Sequence, residues 1–274
     1  MTIKRSYWSI PYLVFLLLFV LLPLVLVAIY AFQDGTGHFT LGNITRFFSD
    51  SDALATFALS LEIAAENTAL CLLLGYPVAW ILTNSNLNRS SITIVLFILP
   101  MWMNFLLRTY SWMTILEDNG IINSFVTALG LEPLRLINTR GAVVLGMVYN
   151  FLPFMVFPIY TSLSKMDPKL GEAAQDLGCN NIRTLTKVTM PLSIPGVISG
   201  ITMVFMPSVT TFFIPRVLGG GNTQMFGDLI ETTFLTAGNW NLGSALSLIM
   251  MILILISLSI LRKADPNGEG GGIV

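Results

Sequence analysis

The chain has 274 residues, 54% of them hydrophobic and only 11% charged, with a mean hydropathy of +0.76. A soluble domain carries about a quarter charged residues, so this composition excludes a soluble globular protein and places the chain in a bilayer. A net charge of -1 points to no particular partner, and no nucleic-acid partner is expected. The single histidine, His38, excludes a multi-histidine metal site, and no metal ligand set is expected. Cys71 and Cys179 fall in an expected span and an expected cytoplasmic loop, which predicts no disulfide. No G-x-x-x-x-G-K-[ST] occurs, and Gly219-Gly220-Gly221 lacks the lysine and reads as a turn, so the chain has no P-loop for ATP.

Lys4 and Arg5 precede the first apolar run, Ile10 to Phe32. Its length suits an uncleaved membrane helix, bent at Pro23, rather than a signal peptide. Gln33 to Thr56 is polar and reads as an extracytoplasmic loop; its Asn43-Ile44-Thr45 fits a glycosylation sequon, a pattern common by chance. The second span is expected at about 57–82, interrupted near its inner end by Gly75-Tyr76-Pro77. Glu62 and Glu66 lie in its outer half, one turn apart and on one face. A lipid-facing charge there costs several kcal/mol, so these two should meet protein or water. A short inner loop with Arg89 leads to a third span at about 92–112, with Pro100 inside it and Arg108 near its outer end. Trp102, Tyr110 and Trp112 are plausible interface anchors. An outer loop, Leu116 to Arg140, contains a short helix over Ile121 to Leu129. The remaining spans are expected at about 141–163, 192–214 and 242–261, with an outer loop over Pro215 to Asn241. The membrane domain is thus 10–262, flanked by a cytoplasmic N-terminus, 1–9, and a glycine-rich flexible tail, 263–274.

Between the fourth and fifth spans lies a long polar interval, 165–190. Asp167 followed by Pro168 reads as an N-cap with proline at the first helical position. Leu170, Ala173, Ala174 and Leu177 recur at i, i+3, i+4 and i+7 and line one helix face, and Gly178 is placed to end that helix. A second amphipathic piece follows over about 181–188, and Pro191 opens the next apolar block. The first face is made largely of small residues and lets another surface approach closely. A helix lying on lipid headgroups is the plainer alternative, but the segment has no Phe or Trp.

Lys4, Arg5, Arg89, Lys165, Lys169, Arg183, Lys187, Arg262 and Lys263 fall on one side of this six-span scheme; Arg46, Arg108, Arg135, Arg140 and Arg216 fall on the other. The excess predicts both termini, and the 165–190 loop, in the cytoplasm. Prolines recur within spans at positions 23, 77, 100, 153, 158, 195 and 207. Such breaks are tolerated where neighbouring helices or a water-filled path satisfy the freed carbonyls, which suits a transporter.

The sequence also resembles a known family. Glu172-Ala173-Ala174, Gly178, Val188, Met190 and Pro191 follow the spacing of the cytoplasmic loop of ABC importer permeases, with Val188 and Met190 where that family usually has Ile and Leu. Gly75-Tyr76-Pro77 with Ala79-Trp80, Trp102-x-Asn104-x-x-x-Arg108-x-Tyr110, Leu152-Pro153-Phe154-Met155-x-x-Pro158-x-Tyr160, Leu218-Gly219-Gly220 and Asn239-Trp240 look like the PotB-type permeases of spermidine/putrescine importers. Relatives often carry an acidic residue just before the Leu-x-Gly-Gly element, where this chain has Arg216.

The resemblance implies an all-α, six-span permease of the type I ABC importer (MetI-like) fold in the bacterial cytoplasmic membrane. It implies that Glu172, Ala173, Ala174, Gly178 and Pro191 couple the chain to a separate ATPase dimer, which binds ATP and magnesium. No cofactor and no reaction are then expected in this chain itself. A second related permease chain and an extracytoplasmic binding protein would complete the system. A polyamine is a flexible row of ammonium groups and needs spaced carboxylates and aromatic faces. Glu62 and Glu66 offer the first, and Trp102, Tyr110 and Tyr149 the second. A structural pairing of the glutamates, for instance with Arg108, is the alternative, and most span aromatics pack or anchor. Another small solute, or an ion-coupled secondary transporter, stays open; the latter usually shows internal repeats, and none is found here.

Overall fold

The computed structural model describes residues 10–84 and 99–264. Lys4, Arg5, Arg89, the first part of the expected third span and the expected tail from residue 265 lie outside those residues. The described chain is all-α, with a lone bridge between Gln33 and Phe39. It divides into two units: the chain up to Thr56 with Leu229–Leu255, and Phe57–Asp228 with the residues from Ile256.

In the first unit, α1 runs over Pro11–Ala31 and α2 over Gly42–Ser49. Leu13, Phe15, Leu18, Phe19 and Leu22 of α1 are all exposed; an apolar helix exposed all round fits lipid. Before Pro23, where a bend was expected, the helix makes a π turn over Leu17–Leu21. Proline has no N–H, and its ring crowds the carbonyl four residues back; widening the preceding turn relieves that clash. The expected extracytoplasmic loop is more helical than the sequence suggested. Besides α2, the second span begins at Ser51 because the Asp50 carboxylate accepts from the N–H groups of Asp52 (3.0 Å) and Ala53 (3.2 Å). Asn43, the sequon residue, gives its amide to the carbonyls of Ala31 (3.1 Å) and Gln33 (2.8 Å), which is a structural role. Asp34 accepts from Thr36 and His38, chiefly from the Thr36 hydroxyl, and these bonds hold its carboxyl below the usual range. In the same unit Asn239 caps the last helix by accepting from Leu242 N–H (3.0 Å), and Trp240 stacks edge-on against Phe234.

In the second unit the spine is α6, Arg140–Ser164, with Met147, Met155 and Ile159 fully buried. Helix α3, Ser51–Asn84, enters this unit at Phe57 and runs unbroken through Pro77, so Gly75-Tyr76-Pro77 does not interrupt it. The glycine serves close packing instead: a Cβ at Gly75 would lie 3.0 Å from Met155 Cγ. The fifth span, α9, covers Ile194–Thr210 and lies on α6 through Gly196 and Gly200. A Cβ at Gly196 would come 2.8 Å from the Pro158 carbonyl oxygen, and one at Gly200 2.7 Å from Met155 Sδ. This Gly-x-x-x-Gly spacing lets two membrane helices approach backbone to backbone.

Among the described residues four helices are long and apolar enough to cross a membrane: α1, α3, α6 and α12, Trp240–Ala264. A fifth crossing results if α8, Asn181–Leu192, and α9 count as one span bent by 66°. The expected third span is described only from Leu99, as a 3-10 turn over Leu99–Trp102 and a helix α4 over Phe105–Leu116. Six crossings are compatible with these elements. The expected outer segments contain α5, Ile121–Ala128, as expected, and also α10, Phe213–Gly219, and α11, Phe226–Leu235, where a loop was expected.

Candidate functional site

The polar interval folds as a helical hairpin. The Asp167 carboxylate accepts from Lys169 N–H (3.0 Å) and Pro168 follows it, opening α7, Lys169–Asp176. Gly178 ends the helix at φ +86°, where its N–H bonds the Gln175 carbonyl (2.8 Å) and Cys179 N–H bonds that of Ala174 (3.0 Å). A Cβ at Gly178 would meet nothing within 4 Å, so glycine is needed there for its left-handed backbone and not for room. Asn180 then caps α8 by accepting from Arg183 N–H (2.8 Å). Within α8 a second π turn, Leu185–Thr189, again ends two residues before a proline, here Pro191.

No residue of α7 is buried. Glu172, Ala173 and Pro191 are exposed and Ala174 is half-buried. Leu177 is 87% exposed, and Leu170 is exposed as well. Ile182, on the second piece of the hairpin, is 71% exposed as well, and sequence reading did not single it out. The hairpin is thus ordered by caps at the start of each arm and leaves large apolar side chains uncovered.

The two glutamates also come together. Arg140, at the start of α6, places Nη2 2.9 Å from Glu62 Oε1 and 2.6 Å from Glu66 Oε2, with Nε 3.1 Å from Glu66 Oε2. Arg140 is thus the structural partner, and the suggested pairing with Arg108 is corrected. Two carboxylates and one guanidinium leave the cluster one negative charge in excess, and its side chains are 41–63% exposed. Sequence put Arg140 on the same outer side as the glutamates, but nothing in it said that the ends of these two helices adjoin.

Arg108 is buried instead against Tyr149, its guanidinium carbon 5.9 Å from the ring centroid, and Nη2 donates to the Met103 carbonyl (3.2 Å). Tyr149 also meets the edge of Trp112 at 5.3 Å, and Tyr110 meets Phe213 at 5.6 Å. Trp102 is 83% exposed. The rings proposed from sequence are therefore packed or outward-facing, and Tyr149 already serves a cation of its own chain. Arg216, the departure from the family pattern, donates to Asp228 Oδ1 through Nε (3.0 Å) and Nη2 (2.6 Å), so its charge is matched.

Residues 5–266 match the family described as the binding-protein-dependent transport system inner membrane component. The spermidine/putrescine transport system permease protein PotB of Haemophilus influenzae is 34% identical over 258 residues, covering 91% of this chain and 90% of that one. Its counterpart in Escherichia coli is 35% identical, covering 91% and 94%. Among solved structures, a chain of a bacterial ABC transporter involved in the import of the acidic polysaccharide alginate superposes with a TM-score of 0.80 at 14% identity, over 94% of each chain. A chain of the MetNI methionine ABC transporter superposes with a TM-score of 0.56 at 15% identity, over 77% of this chain and 93% of that one. Identities this low show the fold alone; the family rests on the full-length match and the PotB relatives. On that ground the chain belongs to the binding-protein-dependent transport system inner membrane components, as an ABC importer permease of the PotB type.

Proposed function

We propose that this permease imports polyamines of the spermidine/putrescine class, driven by a separate ATPase dimer that docks on the Lys165 to Met190 hairpin. The observation that carries the coupling half is the hairpin itself, ordered by its own caps but burying no residue of α7. Glu172, Ala173, Ala174, Gly178 and Pro191 form the docking element, and ATP with magnesium resides in the partner. The PotB relatives and the surplus negative charge of Glu62, Glu66 and Arg140 support a cationic substrate. A second related permease chain completes the path, and an extracytoplasmic binding protein delivers the solute. Reconstitution with these partners in proteoliposomes tests the reading: spermidine uptake should require ATP and the ATPase. Uptake without the ATPase would point to an ion-coupled transporter, and ATP-driven uptake of a different solute would retain the coupling and replace the ligand.

Both termini are cytoplasmic in this proposal. Reporter fusions after Leu163 and at the C-terminus are expected to report the inside, and a fusion between Leu116 and Arg140 the outside. An inside signal from that last position would overturn the six-span topology.

A further inference from the structure

The hairpin joins the fifth span at a single residue. Ser193 stands between α8 and α9, with φ -90° and ψ 0°, at the point where the chain turns by 66°. Pro191 and Pro195 bracket it, and each removes a backbone donor from the helical ladder. Ser193 is fully buried nevertheless, and its hydroxyl is 2.9 Å from that of Tyr76 on α3. The Ser193 hydroxyl also donates to the Met190 carbonyl (2.9 Å). A hydroxyl has one proton to give, so Tyr76 is the donor in the Tyr76–Ser193 bond.

Tyr76 is itself held fast. Its neighbour Gly75 lies against Met155 and Val156 of α6, and the tyrosine is only 8% exposed. Two clefts border the hairpin. One cleft of about 700 Å³ is lined by Lys165, Leu170, Leu192 and Pro195; another of about 530 Å³ is lined by Trp80, Gly171, Thr184 and Val188. A bent joint, two clefts bordering the hairpin and a buried side-chain bond from the bend to α3 are the parts of a pivot.

We propose that the Tyr76–Ser193 hydrogen bond is the fulcrum of coupling: it pins the bend to the α3–α6 scaffold, so that displacement of the hairpin tilts α9 instead of dissipating at a loose joint. Tyr76 is then a positioning residue for transport. This inference rests on the docking role proposed for the hairpin.

The donor assignment gives it an asymmetric signature. Tyr76→Phe removes one bond and leaves Ser193 bonded to Met190. Ser193→Ala leaves the Met190 carbonyl its bond from the backbone N–H of residue 193 (3.1 Å) but strands a buried Tyr76 hydroxyl, which is the costlier defect. In the complete transporter with its ATPase and binding protein, Tyr76→Phe should lower spermidine transported per ATP about five-fold, the change that about 1 kcal/mol makes in an equilibrium. Ser193→Ala should lower it further, and the double variant should recover part of the loss of Ser193→Ala. The amount of assembled complex should stay at the wild-type level for Tyr76→Phe. Wild-type coupling in Tyr76→Phe, a loss matched by a fall in assembled complex, or a double variant no better than Ser193→Ala would each overturn the fulcrum. Ala173→Arg on the hairpin separates the two levels of the argument. If it uncouples transport while Tyr76→Phe does not, the fulcrum alone fails; if it leaves coupling intact, the docking role fails with it.

Discussion

Ala173→Arg is expected to leave the permease in the membrane and to lose most of its co-purifying ATPase. Ala173 is exposed and shares its helix face with Leu170 and Leu177, so in the free permease an arginine there meets only solvent. No folding defect follows from it. In a docked complex the same side chain enters a close apolar contact, where an uncompensated charge and a steric misfit act together. A loss of about 3 kcal/mol, within the range of central interface positions, corresponds to a drop of more than a hundred-fold in affinity. Gly178→Leu acts differently. It forces an L-residue into the left-handed region, at a cost of about 1–2 kcal/mol, without a clash, since that position faces open space. Its effect should be smaller and should come from reorienting α8 against α7. Co-purification of the ATPase and its turnover with binding protein present measure both variants. Undiminished recovery and normal turnover in Ala173→Arg would show that the partner does not use this face.

The hairpin was legible in the sequence because its signals are local. Asp167, Pro168 and Gly178 act within a few residues of themselves, and caps and left-handed glycines leave the same mark in any fold. The long spans were legible from apolar length, and their ends were less so. The start of α3 moved to Ser51 because Asp50 caps it, inside a stretch whose polarity reads as loop. Pro77 proved compatible with a continuous helix because α3 is packed on α6 there, a tertiary fact. Partner choice across helices was the least legible. Arg108 and Arg140 are equivalent in composition and predicted side, but Arg140 opens α6 opposite the glutamates, whereas Arg108 sits against Tyr149 in a buried position. The Tyr76–Ser193 bond spans 117 residues and joins two residue types with no charge to advertise them.

Replacing Glu62 and Glu66 together by glutamine is expected to cut polyamine uptake by at least ten-fold without loss of assembled complex. Exposure sets what the structural account alone would cost. The three side chains of the cluster are 41–63% exposed, and ion pairs as open as these contribute about 0–1 kcal/mol each. Their removal therefore costs little folding stability, and a large fall in uptake needs another cause. The native cluster carries one net negative charge, whereas the double glutamine variant leaves Arg140 as one net positive charge in the same place. An approaching ammonium group then meets repulsion where it met attraction. Arg140→Gln reverses the sign again: two carboxylates remain, and the attraction for a cation rises. If the cluster lies on the substrate path, Arg140→Gln should hold or raise the apparent affinity for spermidine while the glutamate variants lower it. If the cluster only ties α3 to α6, Arg140→Gln should be as harmful as the glutamate changes, because either removes the same bonds. Uptake kinetics of the three variants, normalised to assembled transporter, separate these outcomes. Wild-type uptake by a well-assembled Glu62→Gln, Glu66→Gln variant would remove both residues from the path.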